Sequence, residues 1–315
     1  MKKADVAPTL LETTHAGNAA EIVKGLYLGS VDAVITVGGD GLISEVVNGL
    51  MCRADQAAAA KMPLGFVPAG TGNGIVKSLL SRAGEELNPV CAVLSILRAR
   101  LDKADVGALE QEGQVKTYSI LSLSWGLIAD VDIQCDRYRF LGESRVLLQA
   151  AASIVKLKSY KGRLQLLCPP AEGTAPATPR NWKVIDGRFV CLWAMNMSHA
   201  AYDLHVAPEA QLQDGCFDVV VLKEGISRGT VARAFMEIEK GTHIRYPQIE
   251  IYKAEEVIWE PSCGSGIFSV DGELSACGPE TVESLPKMHK AKKLALGYEK
   301  VHLKVLKAKL SLLVP

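Results

Sequence analysis

The chain has 315 residues, enough for one large or two ordinary domains and a substantial core. Charged residues make up 22% and the apolar set 48%, a globular balance that excludes a disordered chain. Thirty-five basic residues match thirty-five acidic ones, which argues against a nucleic-acid binder working through bulk positive field. No stretch reaches eighteen uninterrupted apolar residues, so no transmembrane helix is expected. The N-terminus lacks the apolar core of a signal peptide. The eight cysteines show no CxxC spacing, which speaks against a zinc site, and their scatter through apolar runs fits a reducing compartment.

The first hundred residues alternate between strand-like and helix-like runs. Asp32–Val37 is a short β-branched run ending in Gly38-Gly39, after which Leu42, Ile43, Val46, Val47 and Leu50 recur at helical spacing. Leu64–Val67 is a second run, closed by Pro68-Ala69-Gly70-Thr71-Gly72-Asn73. Asn88-Pro89 reads as a cap and first turn, with Val90, Val93, Leu94, Leu97 and Leu101 on one helical face. This repetition predicts a parallel α/β layer over residues 1–101.

Beyond it, short β-like runs dominate: Tyr118–Leu127, Arg163–Cys168, Phe189–Met195, Phe217–Leu222, Glu256–Trp259 and Ile267–Val270. They predict a mainly antiparallel β-sandwich over residues 102–285. Glu143–Leu157 reads as an apolar helix, and Pro169–Arg180 as a loop. Lys287–Lys309 holds eight lysines and one acid among apolar residues, so residues 286–315 read as a basic tail, either a solvated extension or a segment lying on an anionic membrane.

Chemistry concentrates in two glycine loops. In Gly38-Gly39-Asp40-Gly41, glycines let backbone approach a phosphate, and the following helix directs free N–H groups at it. An acid there repels phosphate, so Asp40 either caps the helix, holds Mg²⁺, or accepts a proton from an attacking hydroxyl. Gly70-Thr71-Gly72-Asn73 begins thirty-two residues after Gly38. In a parallel sheet, loops at the carboxyl ends of neighbouring strands face one crevice. Neither loop has the P-loop pattern. If the strand at Tyr118–Leu127 continues, Ile128, Asp130 and Asp132 share a face. His199 and His205 flank Asp203 without further ligands, and no metal-site role is assigned to them.

VGGDGLISEVVNGLM followed by PLGFVPAGTGNGI resembles the lipid-kinase family that contains diacylglycerol, ceramide and sphingosine kinases. LSLSWGLIADVDIQCDRYRFLGESR (Leu121–Arg145), YKGRL, SVDGE and MNMSHAAYDLHVAPEAQLQDGCFDVVVL are similar to the sphingosine kinase branch in a plant-like form. The resemblance implies ATP and Mg²⁺ as cofactors and phosphorylation of the primary hydroxyl of a sphingoid base, with Asp40 as general base. It also implies nucleotide positions at Thr13 (in TTHAGNA), Gly38, Gly39, Gly41, Glu45, Gly70, Thr71, Gly72, Arg139, Arg145, Asp271, Gly272 and Glu273. Asp132 matches the residue that recognises the sphingoid head group, and Val146–Leu157 matches a region lining the lipid pocket. The family's opening strand and Asn-Pro glycine loop have no counterpart before Thr13, and Phe140 replaces a basic residue. A diacylglycerol or ceramide kinase, or a catalytically silent lipid-binding or scaffold protein, are the alternatives. The expected location is the cytoplasm, with peripheral membrane contact.

Overall fold

The computed structural model describes residues 6–142, 144–170, 181–290 and 292–315, with the side chain of Arg139 left out. In the first part, α1 (Asn18–Gly25), β1 (Val34–Gly38), α2 (Asp40–Met51), the single-turn α3 (Gln56–Ala59), β2 (Pro63–Pro68), α4 (Gly74–Arg82) and α5 (Pro89–Arg98) follow one another. β1 and β2 pair in parallel, Val34 against Leu64 through Gly38 against Pro68. α2 forms because its apolar residues recur at helical spacing, and it buries Ile43, Val46, Val47 and Leu50. At α5 the Asn88 side chain accepts from Val90 N at 2.7 Å, with Pro89 in the first turn, as the sequence suggests.

The second part begins with β3 (Arg100–Gln111), β4 (Gln114–Ser119) and β5 (Ser122–Gly126), then α6 (Leu127–Gln134), a 3₁₀ stretch at Cys135–Leu141 and α7 (Ser144–Lys156). β6 (Tyr160–Cys168), β7 (Asn181–Met195), β8 (Phe217–Lys223), α8 (Arg228–Glu237), β9 (Ile249–Ala254), β10 (Glu256–Pro261), β11 (Ile267–Val270) and β12 (Glu273–Cys277) complete a largely antiparallel array. Trp125, Trp259, Phe189 and Phe268 fill its core, with Trp259 and Phe189 edge to face at 4.9 Å. Of the loop expected at Pro169–Arg180, residues 171–180 lie outside the described residues, as does Glu143 at the expected helix start.

Two sequence expectations are corrected. The run Tyr118–Leu127 is not one strand: it breaks between β4 and β5, and Leu127 already belongs to α6. Asp130 and Asp132 are therefore helical, and Ile128 shares its face with Asp132, not Asp130. The basic tail is not an appendage. Val301–Val314 is β13, which pairs with β3 along most of its length, with β10 at Val301–Lys304, and in parallel with β2 at Ser311–Leu312. Val301, Leu303, Leu310 and Leu312 are buried, while Lys304 pairs with Glu110 at 2.6 Å and Lys307 with Glu255 at 2.7 Å. The chain's last strand thus joins the α/β layer to the sandwich in one continuous sheet path.

Candidate active site

The two glycine loops leave the carboxyl ends of β1 and β2 side by side. Ala69 N donates to Gly38 O at 3.0 Å, and a Cβ on Gly70 would lie 2.4 Å from Gly39 Cα. Side chains are excluded there because the two backbones touch. Asn73, in the left-handed region at φ +55°, locks the second loop: its Oδ1 accepts from Gly70 N at 2.9 Å and its Nδ2 donates to Gly70 O. Thr71 is exposed at the loop tip.

Asp40 is the first residue of α2, yet its carboxylate caps another helix. It accepts from Gly74 N at 2.9 Å and Ile75 N at 3.0 Å at the start of α4. Burial pushes its carboxyl above the usual range, against these two hydrogen bonds, and the charge of Asp271 adds to the rise. A carboxylate so placed is a better base than an exposed one.

Asp271 and Glu273 come from the β11–β12 turn, where Asp271 stands at φ +51° and Gly272 at φ +82°. Asp271 is 3% exposed and accepts from five donors: Ser44 Oγ (2.8 Å), Ser119 Oγ (2.6 Å) and the N–H groups of Ile120, Leu121 and Ser122 (3.1, 2.9 and 3.0 Å). Those three N–H groups lie where β4 breaks from β5. Glu273 lies over α2, its Oε1 3.5 Å from where a Gly41 Cβ would stand, and pairs with Lys292 at 2.6 Å. Glu45 accepts from Gly17 N at 2.8 Å and Ala19 N at 3.2 Å, so it caps α1 and holds the segment that follows the exposed Thr13. The structure thus brings Asp40, Gly38, Gly39, Gly41, Gly70, Gly72, Asp271, Gly272 and Glu273 together, with the oxygens of Asp40, Glu45 and Asp271 all accepting from protein donors.

Asp132 forms a second centre. No side chain among the described residues hydrogen-bonds or ion-pairs with its carboxylate, and burial, helped by the charge of Asp136, pushes it up to about 7. Asp130 accepts from the Tyr160 hydroxyl and is pushed up to about 6, chiefly by burial. Arg145 pairs with Asp136 at 3.4 Å, and His289 Nε2 lies 2.9 Å from the same acid. Arg139, expected at the nucleotide, has its side chain outside the described residues. His199 and His205 stack at 4.1 Å, and burial pushes His199 down to about 3, so it stays neutral. Among the described residues no three His, Cys, Asp or Glu converge as a metal-ligand group.

Sequence reading missed an apolar cavity of about 50 Å³ under α6 and α8, walled by Leu127, Ile128, Trp193, Val220, Leu222 and Phe235. Only the apolar ends of these separate segments hinted at it. Cys191 also lines it, and the nearby charges of Asp132 and Asp130 add to the burial that pushes its thiol up to about 12. Asp132 therefore lies close to this wall.

Residues 1–109 match the family described as diacylglycerol kinase catalytic domain, and residues 122–291 that described as YegS C-terminal NAD kinase beta sandwich-like domain. The chain is 33% identical to sphingosine kinase 2 of Arabidopsis thaliana, across 96% of this chain and 68% of that protein. It is 34% identical to sphingosine kinase 1 of Homo sapiens, across 87% and 79% of the two. The crystal structure of a diacylglycerol kinase from Bacillus anthracis superposes with a TM-score of 0.60 over 97% of this chain and 84% of that one. At 15% identity this likeness concerns the fold alone.

Proposed function

Because the chain belongs to the sphingosine kinase family of lipid phosphotransferases, we propose that it transfers the γ-phosphoryl group of ATP to the primary hydroxyl of a sphingoid base, with Asp40 as general base. The observation that carries this reading is the half-buried Asp40 carboxylate beside two loops whose backbones touch without side chains. The lipid hydroxyl oxygen forms a bond to the γ-phosphorus as the bond from phosphorus to the ADP oxygen breaks, and Asp40 takes the hydroxyl proton. The N-terminus of α2 and the exposed backbone of Gly38, Gly39, Gly41, Gly70 and Gly72, with the Thr71 hydroxyl, cradle the phosphates. Arg139 and Arg145 offset charge in the loose transition state, Arg145 after leaving Asp136. Thr13 meets the nucleotide. Glu45 and Asp271 act as positioning residues, the first through α1 and the second through α2, with Gly272 shaping its turn.

Mg²⁺ would fit beside Gly41, where the Glu273 carboxylate offers a hard oxygen ligand and such an ion needs few protein carboxylates when phosphates complete its shell. When bound, it neutralises charge on the phosphates. Glu273 must then release Lys292.

Asp132 favours an amine-bearing substrate over diacylglycerol or a ceramide, since only a cation profits from a half-buried carboxylate that no side chain among the described residues engages. The hydrocarbon chain follows the apolar cavity, which is narrow enough that α6 and α8 must part to admit it. A membrane supplies such a substrate. Leu147 and Val155 of α7, and Phe140 before it, are 64%, 70% and 82% exposed and form the surface for peripheral contact. No helix among the described residues is long and apolar enough to cross a bilayer.

Radiolabelled ATP with sphingosine or diacylglycerol tests the reading. Transfer to sphingosine is expected, with Asp40→Asn lowering turnover at least a hundredfold while the variant still melts cooperatively. Equal transfer to both lipids, or near-parental turnover by Asp40→Asn, would overturn it. No transfer by the parent would favour a silent lipid-binding protein.

A further inference from the structure

One wall residue of the apolar cavity is out of character. His243 sits in the 3₁₀ turn Thr242–Arg245, 3% exposed, and its Nε2 lies 3.1 Å from the carbonyl oxygen of Val206. A carbonyl only accepts, so Nε2 carries the hydrogen. Burial lowers the affinity of the ring for a second proton, against the pull of the Val206 carbonyl, so the imidazole is neutral. Nδ1 is then a bare lone pair, and it has no hydrogen-bond partner among the described residues. The other residues that line the cavity with His243 are apolar, among them Leu127, Ile128, Trp193, Val220 and Phe235.

A buried acceptor left unpaired is costly, so a donor entering this cavity gains what the site lacks. A water there would find few of the two to four polar partners that hold buried water. A hydroxyl fixed to a hydrocarbon chain needs no other partner, because burial of the chain itself carries it in.

We propose that His243 Nδ1 accepts a hydrogen bond from a hydroxyl group borne on the hydrocarbon chain of the lipid, so that the cavity prefers hydroxylated long-chain bases to plain ones. The inference rests on the sphingoid-base reading for the identity of the chain, but its test is a binding measurement that does not require phosphoryl transfer.

Trp193 lies in the same wall, so tryptophan emission reports occupancy. The full chain is titrated with sphinganine, with phytosphingosine, and with sphinganines hydroxylated at positions farther along the chain. At least one hydroxylated base is expected to bind about fivefold tighter than sphinganine, the effect of one added hydrogen bond. His243→Gln places an amide N–H where Nε2 donates to Val206 and removes the acceptor at the Nδ1 position. It should bind sphinganine as the parent does and lose the preference. His243→Asn, whose Oδ1 reaches the Nδ1 position, should keep it, and this second variant stands in if His243→Gln folds poorly. Equal binding of all bases by the parent, no binding of any base, or a preference that survives in folded His243→Gln overturns the proposal. Failure of the kinase reading looks different: bases bind with the expected preference, yet none is phosphorylated.

Discussion

The Ser44 hydroxyl donates to Asp271 Oδ2 at 2.8 Å, tying the helix that opens at Asp40 to a turn 227 residues farther along the chain. Ser119 and three consecutive N–H groups complete the shell of the same carboxylate. The phosphate-facing loops and the β-array are thereby held in register by one buried acid.

Asp271→Asn puts an NH₂ where the parent has an oxygen and removes a charge that several donors share. A loss of about 2–4 kcal/mol is expected in urea unfolding. Turnover should fall as α2 loosens, whereas Asp40→Asn should lower turnover with at most about 1 kcal/mol of destabilisation. Unchanged urea unfolding of Asp271→Asn would remove its structural role.

The pH dependence of stability follows from two raised carboxyls. Asp132 stands at about 7 and Asp130 at about 6, both above the usual value of 3.8. The native state therefore holds these protons more tightly than the unfolded chain. Their contribution is fully present in acid and is lost as pH rises from roughly 4 through 7. Asp132→Asn should melt higher than the parent at about pH 8, by an amount on the order of 3 kcal/mol, with no gain near pH 4. The same variant should raise the Michaelis constant for sphingosine more than that for ATP. Parallel melting curves for parent and variant across this range would contradict the assignment.

β13 makes the C-terminal residues structural. Leu312 is fully buried between the pairings to β2 and β3, so Leu312→Ala should cost about 2–5 kcal/mol. A chain ending at Pro286 should show no cooperative melt. Circular dichroism of the two decides whether the segment is an extension or a strand.

Attachment to membranes should then depend on apolar insertion and little on lysines. Leu147→Gln combined with Val155→Gln is expected to lower sedimentation with liposomes several-fold at both low and high salt, because apolar contact is not screened. Binding that vanishes in high salt and ignores these substitutions would assign attachment to charge.

Local pattern was enough to find the strand–loop–helix units around Asp40 and Gly70, the cap at Asn88 and most strands of the sandwich. Each of these rests on residues near in sequence, where periodicity and turn chemistry act directly. The pairing of β13 was not legible. Its apolar residues Val301, Leu303 and Leu310 alternate with lysines, and a strand edge in the middle of a sheet looks like a solvated segment until Glu110 and Glu255 are seen opposite Lys304 and Lys307. The occupied oxygens of Glu45 and Asp271 were equally hidden, since their donors come from distant segments. Local residue chemistry was enough to say which residues can serve phosphate, proton and amine. Only tertiary structure decided which remain free to do so, because a carboxylate's availability depends on the donors that folding brings within 3 Å of it, and those lie as far as 227 residues away.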